Sequence, residues 1–474
     1  MGGWTNPRIL IKEEIHVMRD QGAVIPRGLS EAIDRLHPEA DRWNVARIDP
    51  LYDALVSLPV DQALAAEEPN DLAGIRRLRP AGPRDLAWQP GDAEAFDRFH
   101  GAWTGRAAGC ALGKPVEGMG LSSEGTAIAG RRRIRAHLMA TGAWPLADYI
   151  LPGEGVGCPQ SQRGTIAYME PDDDIHYTLA GLGVLEEHGP GFAWEDVARW
   201  WAAHIPFTFL CTAECQAMLN FLTRANAGGY LPSSSATPAF TRFHRNPYRE
   251  WIGAQIRCDG YAMACAGRPE LAAELAWRDA HWTHERNGIY GAMFCAAMQA
   301  AAFAVDDPRT LVEIGLSEIP ACCRLALAVR RTLAEILPGR DADAVMDRVE
   351  AICREYQPAF GVDTIKHDMH PVHVINNACV CVAAMVLGGL DSLRTPATAV
   401  MCGMDTDCNG ATVGTIAGAV SGRRRFAPVL ADPLHDTIRP ALVGWSDLRM
   451  ADLAQRTMAQ WRRIDAWLSA SRRP

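Results

Sequence analysis

The segment EPDDDIHYTL places Asp172, Asp173 and Asp174 immediately ahead of a helical run that continues to about His188. Adjacent like charges repel one another. A helix N-terminus offsets part of that repulsion, typically about 0.3–1 kcal/mol for an exposed carboxylate, and a bound divalent cation would offset far more. A second segment, GMDTDCNGATVGTIAGAVSG, again sets carboxylates, Asp405 and Asp407, at the head of an apolar helix, spaced i, i+2 around Thr406. Taken singly, each motif reads as an ordinary helix cap. Taken together, hard oxygen donors from two helix starts suit magnesium, manganese or calcium and could hold two ions between them.

The elements that must position these residues are helices. Apolar residues at spacings of three and four recur over Phe96–Gly113, Ile175–His188, Glu270–Thr283, Asn287–Val305 and Ala321–Ile336, while alternating strand patterns are nearly absent. The fold class read from this is all-α, with functional residues in the loops that start helices. Residues 1–95 are richer in proline and charge and read as an N-terminal helical extension packed on a main domain of residues 96–474. Glycine recurs every fourth residue at Gly101, Gly105, Gly109 and Gly113, and again at Gly410, Gly414, Gly418 and Gly422. Each interior glycine costs about 0.5–1 kcal/mol relative to alanine. Close helix packing, possible between the two stripes themselves, is one reading; relief of crowding around Trp and Leu is the other.

Composition narrows the function classes. The formal net charge is -9, and no basic stripe is interleaved with aromatic residues, which argues against nucleic acid as a partner. Arg131, Arg132, Arg133 and Arg135 read as a solvated loop face rather than a phosphate grip, and Arg423, Arg424 and Arg425 follow a helix whose C-terminus favours cations. Most of the 14 cysteines, Cys265, Cys295 and Cys379 among them, sit in Ala-rich helical patterns and read as reduced core residues, without the paired CxxC spacing of a zinc site. MGGWTNPRIL has no basic and apolar export pattern, and Asn6 stands where a myristoylation signal wants Ser or Thr. The most apolar stretches contain Gln299 or Asn376 and Asn377 and read as interior helices rather than membrane spans, so the expected location is cytoplasmic.

From Phe96 to Gly422 the chain resembles the ADP-ribosylglycohydrolase family. The family's Gly-Asp-Ala-Leu-Gly-x-Pro-x-Glu pattern is matched by Gly109-Cys110-Ala111-Leu112-Gly113-Lys114-Pro115-Val116-Glu117. Its Thr-Asp-Asp-Thr motif is similar to Asp172-Asp173-Asp174-Ile175, its Thr-His pair to Thr283-His284, and its closing Gly-Gly-Asp-Thr-Asp-Thr motif to Gly403-Met404-Asp405-Thr406-Asp407-Cys408. The resemblance implies an orthogonal multi-helix bundle and two Mg2+ ions, with Mn2+ as a substitute. Asp173, Asp174, Asp405 and Asp407 would be the ligands, joined by Asp172 in place of a threonine hydroxyl.

The implied reaction is hydrolysis of an N-glycosidic bond to ribose in an ADP-ribosylated protein or other ribosylated molecule. Its transition state is oxocarbenium-like. The ions would orient the ribose hydroxyls and a water, Glu117 would accept the water's proton, and Asp405 is the fallback base. Asp259, Gly260, His284, His176 and His373 are the candidate substrate contacts; His284 reads equally as a polar residue at a helix end, His176 as a contact to helix backbone, and the polar segment HDMHPVHVINNA with His367, His370 and His373 as either a substrate loop or buried helix caps. Trp144, Tyr149 and Tyr168 lie in a Gly/Pro-rich stretch that reads as a lid or base-stacking wall, or equally as a surface loop.

The sequence departs from the family at Cys110, Asp172, Ile175, Asp259 and Cys408. A thiol is a poor magnesium ligand. A carboxylate at Asp259 near the substrate would repel a pyrophosphate, which favours a smaller nucleoside, nucleotide or biosynthetic intermediate as the alternative target. A non-catalytic nucleotide- or ADP-ribose-binding protein is a second alternative, with an expensive anionic cluster arguing against it, and a plain helical scaffold comes third.

Overall fold

The computed structural model describes residues 3–121, 124–125, 127–225, 236–337, 342–356, 360–362, 365–367 and 370–471. The fold is all-α. Among the described residues, strands are confined to short pieces: Glu124–Gly125, Ile365–His367 and Phe360–Val362 form one three-stranded patch, and Thr437–Ile438 pairs with Leu448–Arg449.

Helix limits follow local chemistry. The helix expected from Phe96 begins at Asp92, because Asp92 and Glu94 supply the acidic first turn that suits a helix start. The run after the acidic triplet begins at Asp173 with Asp172 as its cap, and it stops at Gly189, whose φ of 71° suits glycine alone. Helices Asn287–Ala301 and Val374–Gly388 are buried almost end to end. Their all-round apolarity is that of a protein interior.

The two glycine stripes pack against each other, antiparallel. A methyl group added at Gly101, Gly105 or Gly109 would fall on the carbonyl oxygen of Gly418, Gly414 or Gly410, and one at Gly113 would fall on that of Thr406. Only glycine allows backbones this close. The register brings the start of the Thr406–Ser421 helix against the end of the Asp92–Gly113 helix. At the far end, Arg425 donates to the carbonyl of Ser421 at 3.0 Å, the complement to a helix C-terminus read from sequence. Arg131 departs from its expected place on a solvated loop: it lies on the Ala127–Ala140 helix, largely buried and ion-paired to Asp343 at 2.8 Å.

The N-terminal region carries a small apolar cluster of its own around Ile11, Ile15, Ile33, Ile48 and Leu55. Buried ion pairs fasten it to the rest. Arg249 is held by Glu14 at 2.7 Å, and Arg324 by Glu68 at 2.9 Å.

Candidate active site

The acidic motifs converge where the striped helices meet. Ligand-capable atoms of Cys110, Asp172, Asp174 and Asp407 lie within 4.8 Å of one another, as do those of Asp405, Asp407 and Cys408. Asp407 belongs to both groups. Thr406 donates to the carbonyl of Gly113 at 2.8 Å, and the Asp405 N–H donates to the Asn377 side-chain oxygen at 3.3 Å. The turn before Asp405 is left-handed at both Gly403 and Met404, with φ of 77° and 61°. A methionine there is uncommon, and such backbone is tolerated where surrounding contacts impose it. Here Asn376 donates to the Met404 sulfur at 3.1 Å.

These residues fit a divalent cation. Oδ1 of Asp407 and Oδ2 of Asp174 are buried and make no hydrogen bond. Buried carboxylate oxygens are ordinarily satisfied. Oxygen donors at this density match a hard ion, whereas the thiols of Cys110 and Cys408, pushed well above their ordinary range by burial, are poor ligands for one. Asp173 and Glu117 stand outside the two groups of mutually close donors. They still feel the charge. The nearby Asp407 carboxylate, with burial, pushes Glu117 up to about 9, and burial, with Asp172, pushes Asp173 to about 8.

Two cations enter from the first striped helix and its end. Arg106, fully buried, is 2.6 Å from Asp174 Oδ1 and 3.5 Å from Asp259 Oδ1. Lys114 Nζ is 2.9 Å from Asp172 Oδ2 and donates to the Pro171 carbonyl at 2.6 Å. Burial opposes ionisation of Asp172, but the Lys114 ammonium outweighs it and holds the carboxyl below its ordinary range. Sequence reasoning passed over both cations. The available signal was an arginine one turn before Cys110 in an otherwise small-residue helix, and a lysine inside the first family motif.

A family model described as ADP-ribosylglycohydrolase matches residues 91–464. The chain belongs to the ADP-ribosylglycohydrolase family. Membership supports a glycohydrolase function. A solved structure described as an ADP-ribosylglycohydrolase-related protein complex is similar at 19% identity and a TM-score of 0.46, covering 78% of this chain and 99% of that one. Among curated proteins nothing matches.

In this member of the family, the candidate substrate contacts lie in the protein interior. Asp259, expected on the substrate wall, lies behind the acidic cluster, paired with Arg106 and accepting from the Thr415 hydroxyl at 2.6 Å. Gly260 lets its helix approach Thr178, whose carbonyl a Cβ would strike. His176 accepts the Ala441 N–H at 2.9 Å and meets the Phe209 ring edge-on. His284 bonds Thr283 at 2.8 Å, with its other nitrogen 3.8 Å from Glu214. His373 caps its helix by accepting from the Ile375 N–H at 3.2 Å. Burial lowers His176 and His373 to about 4 and His284 well below its ordinary value, so all three imidazoles are neutral near pH 7.

His370 accepts the Val372 N–H at 3.2 Å, and the side chain of His367 lies outside the described residues. The loop aromatics are likewise tied down. Tyr149 donates to the Leu430 carbonyl at 2.7 Å, Trp144 lies under Arg135, and Tyr168 lies under Arg439.

Proposed function

We propose that the chain is a magnesium-dependent hydrolase cleaving an N-glycosidic bond to ribose, with an ADP-ribosylated protein or other ADP-ribose conjugate as substrate. The observation that carries this reading is Asp407, one carboxylate shared by two donor groups, with a buried oxygen that has no hydrogen-bond partner. Asp174, Asp405 and Asp407 would hold two Mg2+ ions, with Asp173 at the rim and Mn2+ as a substitute. Bound divalent cations supply Lewis acidity toward ribose hydroxyls and water and offset the charge of the cluster.

The chain's own groups account for the rest. Glu117, whose carboxyl is pushed up mainly by Asp407, is the group poised to accept a proton from the attacking water once neighbouring charge is offset. Asp405 is the fallback base. Positive charge growing on the anomeric carbon is favoured by the surrounding carboxylates, in a buried setting where such attraction is stronger than in water. His176 and His284, neutral through burial, have no proton to spare for the departing nitrogen, so the proton that Glu117 takes from the water is the one passed to it.

The position of Asp259 bears on the substrate. Its charge is met by Arg106 within the interior, which removes the repulsion that would have disfavoured a pyrophosphate. The test is a hydrolysis screen with magnesium over ADP-ribosyl-arginine, ADP-ribosyl-serine and a panel of ribonucleosides, with Asp405→Ala as control. Turnover of ADP-ribosyl-arginine that is lost in Asp405→Ala is the expected result, and turnover of ADP-ribosyl-serine alone would move the cleaved bond from nitrogen to oxygen. Turnover of nucleosides alone would overturn the substrate, and no turnover together with no bound metal would overturn the enzyme reading.

A further inference from the structure

The two donor groups differ in the fixed charge around them. In the first, Lys114 Nζ lies 2.9 Å from Asp172 Oδ2, and Arg106 Nη2 lies 2.6 Å from Asp174 Oδ1. Both Asp172 oxygens are already engaged, since Oδ1 accepts the Asp174 N–H at 2.9 Å. The remaining donors of that group are Asp174 Oδ2, which makes no hydrogen bond, Asp407 and the Cys110 thiol, so the two fixed cations and not a shortage of oxygens set this group apart. The second group contains Asp405, Asp407 and Cys408, and among the described residues no lysine or arginine is ion-paired to either carboxylate. Within it, Asp407 is 4% exposed and its Oδ1 makes no hydrogen bond.

We propose that the two cation positions are unequal: Asp405 and Asp407 bind a divalent ion first and more tightly, and Lys114 is the positioning residue that keeps the position beside Asp172 at low affinity. This rests on the reading that these carboxylates hold divalent cations. The physical cause is direct. A fixed unit charge a few ångströms from a divalent ion weakens its binding by roughly tenfold to a hundredfold even with substantial screening. Asp172 and Lys114 also balance each other, because the carboxylate stands at the motif position matched to threonine in the family and the lysine supplies the opposite charge beside it. The pair thus keeps the rim neutral without an ion.

The experiment counts ions on the full chain after EDTA treatment, by Mn2+ titration followed by electron paramagnetic resonance. The unaltered chain should take up one Mn2+ tightly and a second at least about tenfold more weakly. Lys114→Met should tighten the second site, and Lys114→Arg should leave it weak. Because Lys114→Met leaves Asp172 buried without its partner, Lys114→Met combined with Asp172→Thr is the companion variant, with the melting temperature of the metal-free protein as the check on folding. Two equal sites in the unaltered chain would overturn the inequality while leaving the metal reading in place. No Mn2+ uptake would overturn the metal reading itself. A second site that stays weak in folded Lys114→Met and in the double variant would overturn the role of Lys114.

Discussion

The Thr406 hydroxyl donates to the carbonyl of Gly113 at 2.8 Å, and this bond joins the head of one glycine-striped helix to the tail of the other. Asp407 follows on one side and Glu117 on the other, so the spacing of the acidic groups is set by how closely the helices approach. Gly109→Ala places a methyl on the carbonyl of Gly410 and forces the helices apart. A loss of about 1–3 kcal/mol in urea denaturation is expected, together with weaker Mg2+ binding by calorimetry. Unchanged stability and affinity would show that the stripe does not set the site.

Asp407→Ala removes the carboxylate common to both donor groups. Addition of Mg2+ should raise the melting temperature of the unaltered chain, equivalent to about 2.7 kcal/mol at a hundred times the dissociation constant, and should leave Asp407→Ala unmoved. Glu117→Gln should keep the thermal response while its kcat falls by roughly 10²–10⁴. A Glu117→Gln enzyme of full activity would assign the proton transfer to Asp405.

Glu117 rises from an ordinary 4.5 to about 9 and Asp173 from 3.8 to about 8 without metal, so the folded chain holds protons that the unfolded chain has released. The stability these groups contribute is present in full below about pH 4 and is lost as pH rises through 8 and 9. Melting curves in EDTA should therefore fall from pH 6 to pH 9. Mg2+ should flatten that slope, since nearby cations favour the ionised carboxylates. A slope insensitive to Mg2+ would contradict placement of the ions at this cluster.

Asp259→Ala strips Arg106 of one of its two acidic partners in a site without solvent. Denaturation should show a loss of roughly 3 kcal/mol. The KM of the folded variant should stay near that of the unaltered enzyme, because Asp259 sits behind the acidic cluster; a large rise in KM would return it to the substrate wall.

The helices were legible because long 3.6-residue patterns and glycine at every fourth position carry their own signal. The acidic donors were legible because each opens a helix, where carboxylates in series are conspicuous. What escaped was pairing across the chain. Nothing in the neighbourhood of Asp259 announces that Arg106, on another helix, will neutralise it, and nothing beside Asp172 announces Lys114. For the histidines the sequence leaves two readings open, because polarity in a segment does not distinguish a ligand contact from a buried cap; His373 has a backbone N–H two residues on as its partner.

The ion pairs that fasten the N-terminal region bear on where the chain can be cut. The family match starts at residue 91, yet Arg249 and Arg324, which lie within the matched part, find Glu14 and Glu68 before it. A chain cut at that point would leave two buried guanidinium groups short of a partner, at a cost of roughly 3–5 kcal/mol for each broken pair. Residue 91 therefore marks where the family match begins, and not a place where the rest of the chain could be severed and stand alone.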